Sequence, residues 1–173
     1  MRWLAGVAAV IPAVVDILYV GIVIRQSNQG PHDPLGSTVI FVATFIAVLA
    51  VSAALAALGS AALRPAFLGL SALGLLAIGF VAIFSIGLPL LLAGGLAFVA
   101  LLFSLRESRQ PAGILKAGAG ALLAVAIFVG GFESTVRAIA CPATGIETGS
   151  GSGIVSGPYH YTCVDGKLTV VSG

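Results

Sequence analysis

Five long apolar stretches, separated by short polar segments, dominate this chain of 173 residues. An α-helix needs about 20 mostly apolar residues to cross a bilayer core of roughly 30 Å. The stretches cover residues 3–24, 37–58, 66–84, 88–105 and 112–132. The pattern predicts an all-α integral membrane fold, a five-span transmembrane helix bundle over residues 1–135, with the lipid bilayer as its surroundings.

Composition agrees with a membrane protein and excludes other classes. Hydrophobic residues make up 59% of the chain and charged residues 8%, whereas soluble domains average roughly 45–50% and about 25%. The eight Lys and Arg residues lie at the ends of the apolar stretches rather than in one cluster, so nucleic acid is excluded as a partner. The length leaves no room for a separate enzyme domain beside the bundle.

The boundary between the third and fourth spans is the ambiguous one. Residues 63–105 are almost uninterrupted in their apolar character, and a single helix of that length, about 60 Å, is too long for one crossing. Gly87 can adopt a positive φ, and Pro89 disfavours helix at Leu88. A tight turn between two full spans is therefore predicted, with a re-entrant pair as the alternative.

Charge and cysteine placement predict the orientation. An N-terminus inside the cell places five basic residues on the cytoplasmic side and three outside. The inner set is Arg2, Arg64, Arg106, Arg109 and Lys116, and the outer set is Arg25, Arg137 and Lys167. We therefore expect a multi-pass protein of the cell membrane, N-in and C-out, with an extracellular or periplasmic tail. A rival interpretation takes residues 1–15 as a signal peptide and leaves four spans.

The tail, residues 136–173, is predicted to be extracytoplasmic and to hold a β-hairpin over residues 159–171. Its strands flank Asp165 and Gly166, a pair that suits a two-residue type I′ turn. One face of the hairpin is apolar and is expected to rest on the outer loops or on a partner. Residues 144–158 are rich in Gly, Ser and Thr and are predicted to form a flexible loop.

The two cysteines of the chain, Cys141 and Cys163, both lie in this tail. Outside the cytoplasm such a pair can persist as a disulfide. The bond would tether the hairpin to the outer end of the fifth helix and contribute about 3 kcal/mol. Two free thiols are the alternative.

Asp16 is the outstanding candidate for a functional residue, since it is the acidic residue well inside a predicted span. Placing such a group at the bilayer centre costs about 2.5–3.5 kcal/mol on insertion scales. Small residues precede it on one stripe, so it should face protein. Asp16 is either a protonated hydrogen-bond donor that joins helix one to a neighbour or a proton or cation relay. Lys116 lies about 14 Å away in depth and is expected to extend to the inner headgroups.

Two further groups of residues are candidate sites. A small-residue face on the fifth helix predicts close helix packing, with dimerisation as the alternative. It consists of Gly113, Ala117, Gly120 and Ala124. The loop residues His32, Asp33 and His160 could meet as a metal site but lack ligand spacing, so no metal and no cofactor is predicted.

Two classes of function remain. Without paired carboxylates or a buried histidine, the chain is not expected to be an enzyme. A small structural or accessory subunit of a larger membrane complex, or a homo-oligomer, is the preferred hypothesis. The alternative is a small proton-coupled transporter or channel that uses Asp16. In size and in having one acid on helix one, the chain is similar to the small multidrug transporters, although those have four spans and no such tail.

Overall fold

A computed structural model of the chain describes residues 2–27, 37–108, 111–139 and 141–172, with side chains for residues 3–25, 38–107, 111–135, 138–139 and 141–171. The helices are α1 Arg2–Ser27, α2 Ser37–Leu58, α3 Arg64–Val81, α4 Leu88–Ser108 and α5 Pro111–Arg137. The strands are β1 Ile146–Gly153, β2 Gly157–Val164 and β3 Lys167–Ser172. All five helices are long and apolar enough to cross a membrane, which confirms the prediction of five long apolar helices.

The turn between α3 and α4 differs from the predicted one. Residues Ile83–Gly87 form a π-helical turn, and Leu88 is already helical, with φ −56° and ψ −51°. Gly87 does not have the positive φ that the sequence suggested. The close approach of α3 explains why this residue is glycine, because a Cβ on Gly87 would collide with the carbonyl oxygen of Gly79. Helix α4 can start before Pro89, since proline is tolerated in the first helical turn.

Helices α3 and α4 pack against each other as an antiparallel hairpin. A Cβ on Gly94 of α4 would lie 2.9 Å from the Leu76 side chain of α3. Further along, Ala97 clusters with Ala72. The residue numbers rise on α4 as they fall on α3, as expected for two consecutive helices joined by a short turn.

The bundle core changes in character along its length. In the half that contains the α3–α4 turn, the cluster is seven large side chains and one alanine: Phe45, Ile46, Leu49, Leu75, Ile78, Leu90, Ala93 and Phe128. In the opposite half the cluster is rich in alanine: Ala5, Ala56, Ala57, Leu68, Ala100, Leu101 and Ala117. Small side chains let helix backbones approach closely, so packing in this half depends on the fit of the helices themselves.

The C-terminal tail forms a three-stranded antiparallel sheet in the order β1-β2-β3. Strands β2 and β3 form the predicted hairpin, in which Val164 pairs with Lys167. Asp165 and Gly166 have φ angles of 47° and 78°, as a type I′ turn requires. Gly145, just before β1, both donates to and accepts from Asp165, with N···O distances of 3.0 Å.

The prediction that residues 144–158 form a flexible loop is wrong. Residues 146–153 pair with β2 over its whole length, from Ile146 opposite Val164 to Gly153 opposite Gly157. Glycines alternate along β1, and a Cβ at Gly149 would overlap the ring of Tyr161 across the strand pair. The small residues of β1 therefore make room for aromatic side chains of β2.

Candidate functional site

Helix α1 carries Asp16 one turn after Pro12, which lies inside the helix. Proline has no N–H, so the carbonyl oxygen of Ala8 loses its usual helical hydrogen bond there. The small residues of the stripe that precedes Asp16 are buried against the neighbouring helices α2 and α4. They are Ala5, Ala8, Ala9 and Pro12. The first half of α1 is thus fixed by close backbone packing.

Asp16 continues this packed stripe on the same face of the helix, four residues after Pro12, but is partly exposed. Its Oδ1 atom is enclosed and has no hydrogen-bond partner within the described part of the chain. The next two side chains, Ile17 and Leu18, are 71% and 60% exposed. In the most apolar part of α1, only 22% of the residues are buried, compared with 50% in α3. Successive residues of a helix point about 100° apart, so the side chains of Ile17 and Leu18 point away from Asp16, which lies on the packed side of a thinly covered helix.

Lys116 is not directed to Asp16. Its Nζ donates a hydrogen bond to the carbonyl oxygen of Ala62, at 2.9 Å, in the connection between α2 and α3. This hydrogen bond joins the start of α5 to that connection. The sequence did not indicate Ala62 as the partner of Lys116.

The small-residue face of α5 packs against α3. Its four residues, Gly113, Ala117, Gly120 and Ala124, are all buried. A Cβ on Gly120 would collide with the carbonyl oxygen of Ala66, and one on Gly69 of α3 would collide with the carbonyl oxygen of Ala117. The face is therefore used for packing inside one chain, which leaves it covered rather than open to a second copy.

A small pocket opens at the end of the bundle opposite the sheet. Its polar lining comes from Arg64, Ser104 and Glu107, and its volume of about 20 Å³ is room for about one water molecule. Arg64 donates from Nε to the carbonyl oxygen of Ala56 at 3.1 Å, which joins the start of α3 to the end of α2. The pocket is too small for an organic substrate.

The sheet is joined to α5 by a covalent and a polar contact. Cys141 and Cys163 form a disulfide with a Cα–Cα distance of 5.5 Å, which confirms the predicted bond. Near the other end of β1, the backbone N–H of Val155 donates to Oε2 of Glu133 at 3.3 Å. The apolar face predicted to rest on another surface stays open along β3, where Leu168 and Val170 are 41% and 50% exposed.

Of the three residues that could meet as a metal site, the structure describes one. His160 is exposed on β2, whereas His32 and Asp33 lie outside the described residues. Among the residues that are described, no group of three metal-binding side chains comes together.

The geometry defines a class: a five-helix apolar bundle with a disulfide-linked sheet, in which Oδ1 of Asp16, inside α1, is buried without a hydrogen-bond partner among the described residues. No protein-family model, no curated protein and no solved structure matches this chain.

Proposed function

We propose that this protein is a non-catalytic, multi-pass membrane protein that serves as a structural or accessory subunit of a larger membrane assembly. One observation carries the proposal: Oδ1 of Asp16 has no hydrogen-bond partner within the described chain, although the side chain is partly exposed at the end of the packed stripe of α1. Ionisable side chains within membrane helices normally face a bundle interior and have a partner. Because Oδ1 itself is enclosed, a donor from a neighbouring transmembrane helix would reach the carboxyl group from its partly exposed side.

The composition of the open face supports the same conclusion. Val14, Ile17 and Leu18 of α1 are exposed aliphatic residues, so α1 offers an apolar surface to a second helix, and the partly exposed Asp16 adds one polar group on the adjoining face. Interhelical hydrogen bonds of this kind contribute about 1–2 kcal/mol in model peptides and about 0.6 kcal/mol on average in a folded membrane protein. The partner is either a different membrane protein or a second copy of this chain.

Orientation belongs to the same proposal. We place the N-terminus in the cytoplasm and the sheet outside it, on the extracellular or periplasmic face of the cell membrane. The balance of Lys and Arg at the helix ends supports this orientation. The Cys141–Cys163 disulfide supports it independently, because disulfides persist in oxidising compartments.

The test is purification in a gentle detergent, followed by size-exclusion chromatography and mass-spectrometric identification of co-eluting proteins. We expect the wild-type chain to elute with a partner at fixed stoichiometry. Asp16→Leu should lose most of that partner, and Asp16→Asn should retain it because an amide still donates and accepts hydrogen bonds. Ile17→Ala is the control, because Ile17 is the next residue of α1 and is exposed but points away from the carboxyl group. Elution of wild type and Asp16→Leu as identical single chains would overturn the proposal.

A proton-coupled transporter or channel is the second candidate, because the carboxyl group whose Oδ1 lacks a partner among the described residues is also an ionisable group at a partly exposed position. In this case Asp16→Asn would leave the fold intact and abolish proton-dependent flux in reconstituted vesicles. An accessory subunit predicts no flux from either protein. The Asp16→Asn variant therefore separates the two functions.

A further inference from the structure

The two turns of the C-terminal sheet differ in chemistry. The turn between β2 and β3 is Asp165–Gly166, a common polar pair. The turn between β1 and β2, residues 154–156, instead carries Ile154 and Val155, which are 50% and 73% exposed. Turns are dominated by Gly, Pro, Asn, Asp and Ser. Two exposed branched aliphatic side chains at the tip of a hairpin are therefore unusual and favour contact with an apolar environment. Residues 154–156 are named the apolar turn.

The apolar turn lies against α5. The N–H of Val155 donates to Oε2 of Glu133 at 3.3 Å. Gly153, the last residue of β1, is buried, and a Cβ on it would lie 2.6 Å from the same carboxylate oxygen. The tip of the hairpin is therefore within one side-chain length of the α5 backbone at Glu133.

The position of Glu133 along α5 indicates how deep the apolar turn would lie in a membrane. The apolar span of α5 covers Pro111–Thr135, and its midpoint is Leu123. Glu133 is ten residues further along, which is about 15 Å at the rise of an α-helix. Half of a hydrocarbon core of roughly 30 Å is the same distance. Glu133, and with it the apolar turn, falls at the boundary between acyl chains and headgroups.

We propose that the apolar turn inserts into this boundary, so that Ile154 and Val155 bind the lipid surface on the sheet side of the membrane. The proposal rests on the membrane insertion proposed above. Strand β2 has 8 residues, which extend about 26 Å, so the polar Asp165–Gly166 turn at its other end can remain in water. The sheet is then held at one end by the disulfide and at the other by lipid.

The test uses tryptophan fluorescence in vesicles of phosphatidylcholine that is brominated near the top of its acyl chains. The chain has one tryptophan, Trp3, so Trp3→Phe gives a silent background. Val155→Trp and Ile154→Trp are introduced there separately. Thr169→Trp is the matched control, because Thr169 is an exposed residue of the same sheet on β3, opposite Thr162 and away from the apolar turn. An intact disulfide, seen as a mobility shift on reduction, shows that each variant is folded.

We expect both turn variants to emit at shorter wavelength than Thr169→Trp and to lose most of their intensity in brominated vesicles, whereas the control keeps its intensity. If the turn variants match the control while Trp3 of the wild type is quenched, the turn lies in water and this inference is overturned, although membrane insertion stands. If Trp3 is not quenched either, the insertion of the bundle and the inference fail together.

Discussion

Asp16 is an ionisable, partly exposed residue on the packed side of an apolar helix. Its carboxyl group is held beside a tightly packed alanine stripe, yet Oδ1 finds no partner there among the described residues. Whether Asp16 joins α1 to a neighbouring helix of the same chain stays a prediction, since Oδ1 is one of two carboxyl oxygens. We expect Asp16 to contribute little to the stability of the isolated chain, because Oδ1 is enclosed without a hydrogen bond.

Asp16→Leu is expected to leave the melting temperature of the purified, isolated chain unchanged or to raise it. The substitution removes an unsatisfied polar group, which costs about 1–3 kcal/mol when buried. Ser71→Ala is the contrasting variant, because the Ser71 hydroxyl is buried and lies 3.1 Å from the carbonyl oxygen of Leu49 on α2. Loss of this hydrogen bond in Ser71→Ala should lower the melting temperature. A large decrease for Asp16→Leu would show that Asp16 joins helices within the chain.

At the scale of the element, the contact between α3 and α5 depends on two glycines. Gly120→Ala places a methyl group against the carbonyl oxygen of Ala66, and overpacking of this kind costs about 1–3 kcal/mol. Gly118 lies on the same helix with nothing within 4 Å of a Cβ, so Gly118→Ala should be neutral or slightly stabilising. Thermal denaturation in detergent measures both. Equal melting temperatures for the two variants would contradict the close approach of the helices.

The sheet gives a second test at this scale. Replacing Cys141 and Cys163 together with serine removes a cross-link between residues 22 positions apart, worth about 3 kcal/mol in the loop-entropy model. We expect limited proteolysis to cut residues 141–172 much faster in the double variant, with the helices unaffected. Thr169→Ser, which leaves the disulfide in place, is the control. Equal cleavage rates would show that the strand pairing holds the tail without the disulfide.

The elements differ in how far the sequence predicted them. The five helices follow from apolar length alone, and the hairpin of β2 and β3 follows from Asp165–Gly166, because both are local signals. Strand β1 was missed because alternating glycines resemble a flexible linker and are explained only by the tyrosines across the strand pair. The contacts of Glu133 with Val155 and of Lys116 with Ala62 join residues 22 and 54 positions apart, and no local pattern indicates them.

At the scale of the whole molecule, the proposed orientation places the α2–α3 connection and the sheet on opposite sides of the membrane. Ser60→Cys and Thr169→Cys add one exposed thiol to each side, while the native cysteines are bonded to each other. A membrane-impermeant maleimide should label Thr169→Cys in intact cells and Ser60→Cys only after permeabilisation. The reverse pattern would mean that the orientation is inverted, and labelling of both in intact cells would contradict the alternation of the spans.

The central claim, that this bundle is a subunit completed by a partner helix at Asp16, is tested most directly by native mass spectrometry of the protein released from its own membranes. One chain has a mass of 17.2 kDa. We predict a larger particle of fixed composition that contains this chain and at least one further membrane protein or a second copy. A species with the mass of the single chain, obtained under conditions that preserve known membrane complexes in the same sample, would contradict the claim.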